Sequence, residues 1–152
     1  MLKKIILILF ILNNLPQLAI ASIQSKIINN LININNLSFS FKQTIGTKEE
    51  DGDCIIKYPK KIFCSYNNKN KKIMVSNGKS LAIKNQTSNQ YYLYPLKKTP
   101  LELILDKNFL IDQIKKLESR IIDDKYINFK ILKNNNEINI FFDKKNLNLI
   151  GW

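Results

Sequence analysis

From residue 37 onward, apolar and polar positions alternate with a period of two. Leu37, Phe39 and Phe41 alternate with Ser38, Ser40 and Lys42, which predicts a half-buried strand. Residues 46–51 read as a polar loop. Cys54, Ile56 and Tyr58 predict a second strand, ended by Pro59-Lys60, and residues 62–66 a third, followed by a polar turn over 67–71. Residues 73–76 and 79–83 flank Asn77-Gly78, a strong hairpin signal in which both central residues are expected at positive φ. Residues 90–94, 126–131 and 138–142 predict further strands, with turns over 134–136 and 143–146. Leu147 and Leu149 begin one more, and the chain ends at Trp152 in mid-strand, so the last strands of the sheet are expected to be missing.

Two segments follow the helical period instead. Ser22 is placed to cap a helix whose stripe is Ile23, Ile27, Ile28, Leu31 and Ile34, with Asn35-Asn36 as the stop. Thr99-Pro100-Leu101-Glu102 reads as a capping box with Pro at the first helical position. The helix it opens, residues 99–106, is apolar on nearly every side, so it must be sandwiched or lie over an apolar surface. Residues 108–122 fit a helix through Leu110, Ile114 and Leu117, and a strand at Ile121-Ile122. The fold class is therefore α+β: a meandering antiparallel sheet with an N-terminal amphipathic helix and a short apolar helix.

The first residues follow a different logic. Lys3-Lys4 precede an unbroken apolar run over 5–12, Pro16 follows, and Ala19-Ile20-Ala21 is a small-residue cleavage pattern. This is the order of a secretory signal peptide cut after Ala21; the run is too short to span a bilayer, which needs about 20 apolar residues. Residues 22–152 then form a single domain. Ser22 stands where a lipoprotein needs Cys, so the mature chain is expected to be free of a lipid anchor.

Composition narrows the chemistry. The chain of 152 residues has no His, which excludes His-dependent triads, His general bases and His-ligated zinc. Its formal net charge is +12, yet 23 of the 24 basic residues are Lys and they are spread along the chain. Ile, Lys and Asn, all with A/T-rich codons, make up 70 residues, so the charge is discounted as a sign of nucleic-acid binding, which favours Arg. No cofactor or metal is expected. Cys54 and Cys64 face each other if the intervening turn is centred on Pro59, and lie on opposite faces if it is centred between Pro59 and Lys60. They are a candidate disulfide in an oxidising compartment, or two small buried thiols. Asp51 and Asp53 would be the acid–base pair of a hydrolase reading, but they stand in a polar stretch that lacks a rigid cleft. Lys69, Lys71 and Lys72 fit a solvated turn or a contact with anionic headgroups, and Tyr91, Tyr92 and Tyr94 fit sheet positions. The strands carry more apolar positions than a one-sided sheet needs. A filled interior explains that, and so does a concave cavity for acyl chains roofed by the helix over 99–106.

Five segments together resemble the LolA family, the periplasmic outer-membrane lipoprotein carrier proteins. Phe39-Ser40-Phe41-Lys42-Gln43-Thr44 is similar to the family's F-x-Q-T strand, and Gly52 to Pro59 to its G-x-ϕ-x-ϕ-K-R-P hairpin, where ϕ is apolar. Val75 to Leu81 resembles V-x-D-G-x-x-L. Tyr94 to Leu101 resembles the Y-P-L-x-x-T-P-L entry to a lid helix seen in alphaproteobacterial members, and Leu149 to Trp152 resembles L-x-x-W.

The resemblance implies a highly curved antiparallel sheet, an incomplete β-barrel with a helical lid, and no enzymatic activity. Phe39, Phe41, Ile56, Tyr58, Ile62, Tyr66, Leu81 and Ile83 are the expected acyl-chain cavity, and Pro100, Leu101, Ile104 and Leu105 the lid. The expected partners are acylated lipoproteins, the inner-membrane LolCDE transporter, and the acceptor LolB or the outer membrane itself, with the carrier a monomer. A binding module for another lipid or glycolipid is the alternative. The family often has Arg where this chain has Tyr58, and that Arg is thought to latch the lid. Either the Tyr58 hydroxyl replaces it or the closed state is weaker here.

Overall fold

A computed structural model describes residues 15–88, 90–133 and 136–152. The apolar run over 5–12 lies outside them, as does most of the turn expected over 134–136. Helix α1 spans Leu15–Asn33, earlier at both ends than the pattern suggested, and runs without a break through Ala21. Its stop comes before Asn35-Asn36, because Asn36 already opens strand β1.

The fold is α+β, with antiparallel strands in an open arrangement that closes no barrel. The strands divide into two sheets where one continuous sheet was expected. Strands β1 (Asn36–Ile45), β2 (Lys48–Lys57), β3 (Lys61–Tyr66), β4 (Ile73–Asn77), β5 (Ser80–Lys84) and β6 (Tyr91–Pro95) form a meander in chain order. Strands β7 (Arg120–Ile122), β8 (Tyr126–Lys133), β9 (Asn136–Asp143) and β10 (Leu149–Gly151) form the second, ordered β10-β9-β8-β7. Between the sheets come a 3₁₀ turn (Leu96–Lys98), α2 (Leu101–Leu105) and α3 (Lys107–Ile114), so both readings of 108–122 hold in part.

Three local expectations are corrected. The polar loop over 46–51 is a tight hairpin: Ile45 pairs with Lys48, and Glu49, Glu50 and Asp51 continue β2. Charged side chains hid the strand, but Glu50 is held by several partners, one of them 22 positions away. Its carboxylate accepts from Lys72 and, at 2.9 Å, from Gln43, and pairs with Lys48 at 3.1 Å. Burial pushes this carboxyl up, and the bonds from Lys72, Lys48 and Gln43 outweigh it and hold it at about 2.

The β4–β5 turn is one residue out of the expected register. Ser76 pairs with Leu81, so Gly78 and Lys79 are central and only Gly78, at φ 97°, has positive φ. Asn77 instead accepts from the Lys79 and Ser80 amides through its side chain, at 2.9 and 3.0 Å. The capping box at Thr99 is not formed either. Thr99 Oγ1 donates backwards to Leu96 O at 2.8 Å, and Pro100 occupies the cap position without a side-chain bond.

Two apolar cores result. Ile27 and Leu31 of α1, with Leu110, Ile111 and Ile114 of α3, pack on Ile127, Phe129, Ile131, Ile140 and Phe142 of the second sheet. Gln24 ties the helices together by donating to Ile114 O and, at 3.2 Å, to Leu117 O. The one arginine is structural: Arg120 donates to Asn128 Oδ1 at 2.6 Å, and buried Asn128 donates to Ile140 O at 3.2 Å. The other core lies on the inner face of the six-stranded sheet.

Candidate functional site

Strand alternation sets the inner face of the six-stranded sheet. From Glu50 on, the even-numbered residues of β2 and β3 are buried and most odd-numbered ones exposed. Ile56 and Ile62 are paired neighbours, as are Cys54 and Cys64, whose sulfurs are bonded. The turn is thus centred on Pro59, with Lys57 opposite Lys61. Tyr66 and Leu81 are buried in the same core, with Phe39, Phe41 and Tyr58 packed against it. Ile83 pairs with Met74 on this face but is only half-buried and lies outside the core.

Gly52 gives this wall its tight spot. A side chain there would meet Ser65 O at 2.1 Å and the Phe41 ring at 2.9 Å. Phe41, Gly52 and Tyr66 are cross-strand partners in one row, and without a Cβ between them the Phe41 and Tyr66 rings meet edge to face at 5.0 Å.

Helix α2 is sandwiched between the two cores. Ile104 belongs to the core of the second sheet, while Leu105, Leu101 and Leu96 of the preceding turn fill the inner face of the first. The expected lid residues therefore divide between two surfaces. Two clefts meet at Trp152, the first of them beside α2. One of about 390 Å³ is lined by Pro100, Leu101, Ile104, Ile138 and Trp152, and one of about 190 Å³ by Phe39, Phe41, Tyr66, Met74 and Trp152. Trp152, a residue the cavity expectation omitted, borders both and meets Phe39 edge to face at 5.6 Å. The L-x-x-W segment already contained it.

A single lysine ties α2 to the sheet. Lys60 follows the cis Tyr58–Pro59 bond at φ 62°. Its amide donates to Leu105 O at 3.0 Å, and its Nζ lies 3.1 Å from both Glu102 Oε1 and Asp106 Oδ2. Asp106 uses its other oxygen to accept from the Phe109 amide at 3.1 Å, capping α3. Lys60 is held above its ordinary range by Glu102 and Asp106. The Tyr58 hydroxyl plays no such part. It is buried and among the described residues has no hydrogen-bond partner, and burial pushes it up to about 12. The alternative that gave it the latch is not what the geometry shows.

Asp51 and Asp53 lie on exposed β2 positions and accept from Asn67 and Ser40 at 2.8 and 2.6 Å. They face away from the inner wall. Among the described residues, no group of three or more potential ligands is placed to hold a metal ion.

An open curved antiparallel sheet with a greasy inner face and a short apolar helix in its mouth is the architecture of a carrier for apolar cargo. The family model of the outer membrane lipoprotein carrier protein LolA matches residues 33–152, and the chain belongs to the LolA family. That family consists of periplasmic carriers and chaperones and is not an enzyme family. A search of the curated proteins gives no match to this chain. No helix among the described residues is long and apolar enough to cross a membrane.

Proposed function

We propose that this protein shields the acyl chains of lipoproteins and moves them from the inner to the outer membrane, after a signal peptide is removed at Ala21. Cargo would come from the LolCDE transporter and pass to LolB or to the outer membrane itself. The observation that carries the reading is α2, whose leucines occupy the inner face where acyl chains would lie.

In this reading Leu96, Leu101 and Leu105 stand in for cargo while the carrier is empty. Exposing three leucines costs about 5–9 kcal/mol, which burial of roughly 6–11 methylenes offsets at about 0.8 kcal/mol each. One long acyl chain therefore suffices to displace the helix, and loss of the chain returns it. The walls supply few polar anchors, so binding follows area and remains reversible.

The test is release of lipoprotein from spheroplasts. Acylated lipoprotein should appear in the supernatant in complex with the added protein. If lipoprotein stays in the membrane while the protein still takes up free fatty acid, the cargo is another lipid and the reading is overturned.

A further inference from the structure

The outer face of the six-stranded sheet carries a feature that shielding of cargo does not require. Ile55, Phe63, Val75, Ala82 and Leu93 are successive cross-strand partners from β2 to β6. Strands lie about 4.8 Å apart, so these residues make one apolar stripe roughly 19 Å long. It faces solvent: Ile55 is 53% exposed, Phe63 45%, Val75 39% and Leu93 63%. Tyr91, 70% exposed, is two residues from Leu93 on the same face.

One end of this face is basic. Lys57 lies directly opposite Lys61, a like-charge pairing that costs stability. Lys79 sits in the next hairpin, where its carbonyl accepts from the Leu96 amide, and Lys97 and Lys98 follow Leu96. All five lysines are exposed, and among the described residues none forms an ion pair. The acidic residues of β2's outer face, Glu49, Asp51 and Asp53, stand at the far end of the strand. The lysine end is also the end where Lys60 holds α2.

We propose that this face docks on an anionic phospholipid surface, lysine end first, with Phe63 and Leu93 entering the headgroup layer. Lysines are flexible point charges that suit a diffuse anionic layer, whereas an acidic protein site favours the Arg fork, and the chain's one Arg is engaged elsewhere. Exposed Tyr beside aliphatic residues is the composition of a bilayer interface. Docking would bring the α2 mouth close to the membrane. It rests on the outer face alone and does not depend on what the interior binds.

The test is co-sedimentation of the full chain with vesicles of phosphatidylcholine, alone or mixed with phosphatidylglycerol. Binding should require phosphatidylglycerol and fall with added salt. Each lysine near the surface contributes about fivefold, so the triple variant Lys57→Gln, Lys61→Gln, Lys97→Gln should bind about a hundredfold less. Phe63→Glu with Leu93→Glu should abolish binding. A fluorescent fatty acid, titrated into the same variants, reports the interior and the fold, and its affinity should not change. Equal binding of wild type and variants would place the anchor in the N-terminal apolar run and overturn the proposal. So would failure of the wild type to bind vesicles while it binds fatty acid, including the case where it binds only an acidic protein. Vesicle binding without fatty-acid binding would instead overturn the carrier reading and leave the docking intact.

Discussion

Lys60 Nζ lies 3.1 Å from Glu102 Oε1, although 42 positions separate the two residues. The contact joins the Pro59 turn of the six-stranded sheet to α2, and Asp106 doubles it from the other side of the ammonium. Partly exposed pairs of this kind are worth about 0.2–1 kcal/mol each. Together they hold α2 against the sheet without locking it there.

Lys60→Asn keeps a residue tolerant of positive φ and removes the charge. The pairs hold α2 where cargo would lie, so loss of both, about 0.4–2 kcal/mol, should tighten fatty-acid binding about 2–30-fold. Salt should tighten binding by the wild type and leave the variant unchanged. The pH dependence follows from the shifts. Burial pushes Asp106 up, and bonds from Phe109 and Lys60 bring it below its ordinary 3.8, so its share is present above 3.8 and lost as pH falls past the lowered value. Lys60 is raised above 10.5, so its share is present below 10.5 and lost only beyond that. Fatty-acid titrations at pH 7, below pH 3.8 and above pH 10.5 check both signs.

Tyr58 offers a different kind of test, because its hydroxyl is buried without a hydrogen-bond partner among the described residues. An unsatisfied buried polar group costs about 1–3 kcal/mol. Tyr58→Phe should therefore stabilise the protein by about 1 kcal/mol and raise Tm by about 2–4 °C. The hydroxyl is raised from 10.0 to about 12, so the wild type should lose more stability than the Phe variant as pH rises through that window. Thermal melts at pH 9 and pH 11 read the difference.

Glu50 governs the opposite end of the pH range. Its carboxyl falls from the ordinary 4.5 to about 2 in the fold, so its contribution is present above 4.5 and disappears as pH drops toward 2. Urea midpoints measured across that window should decline in the wild type. Glu50→Gln should start lower and decline less, since the bonds from Lys72 and Lys48 are already weakened.

These tests centre on residues that the sequence showed unevenly. The strands around Phe39, Cys54 and Ile62 were legible because alternation encodes which face is buried. The sandwiching of α2 was legible because Leu101, Ile104 and Leu105 leave it no polar side. The start of β2 was not, because Glu49, Glu50 and Asp51 look like loop until Lys72, 22 positions beyond Glu50, is brought beside it. The division into two sheets was not legible either, since a period of two fixes faces and says nothing of which strands pair. Lys60 escaped notice because its role depends on a turn geometry and two carboxylates from another element. Trp152 was visible only as part of a motif.

The inner face and the outer carboxylates separate a carrier from a hydrolase. Leu101 packs against the inner core and lines the larger cleft without being fully buried, so Leu101→Glu places a charge on the cargo path with limited harm to the fold. A carboxylate in that apolar wall must be desolvated when an acyl chain enters, at a cost of several kcal/mol. Fatty-acid affinity should fall more than about tenfold, while the melting transition, carried by the α1–α3 core, persists. Asp51→Asn with Asp53→Asn should do the reverse of what a hydrolase predicts and leave both fatty-acid binding and lipoprotein release near wild type. Both side chains point to solvent and bond to Asn67 and Ser40, which an amide oxygen also satisfies. Loss of release in the double Asn variant with an intact melt would give those carboxylates a chemical role and sink the carrier account.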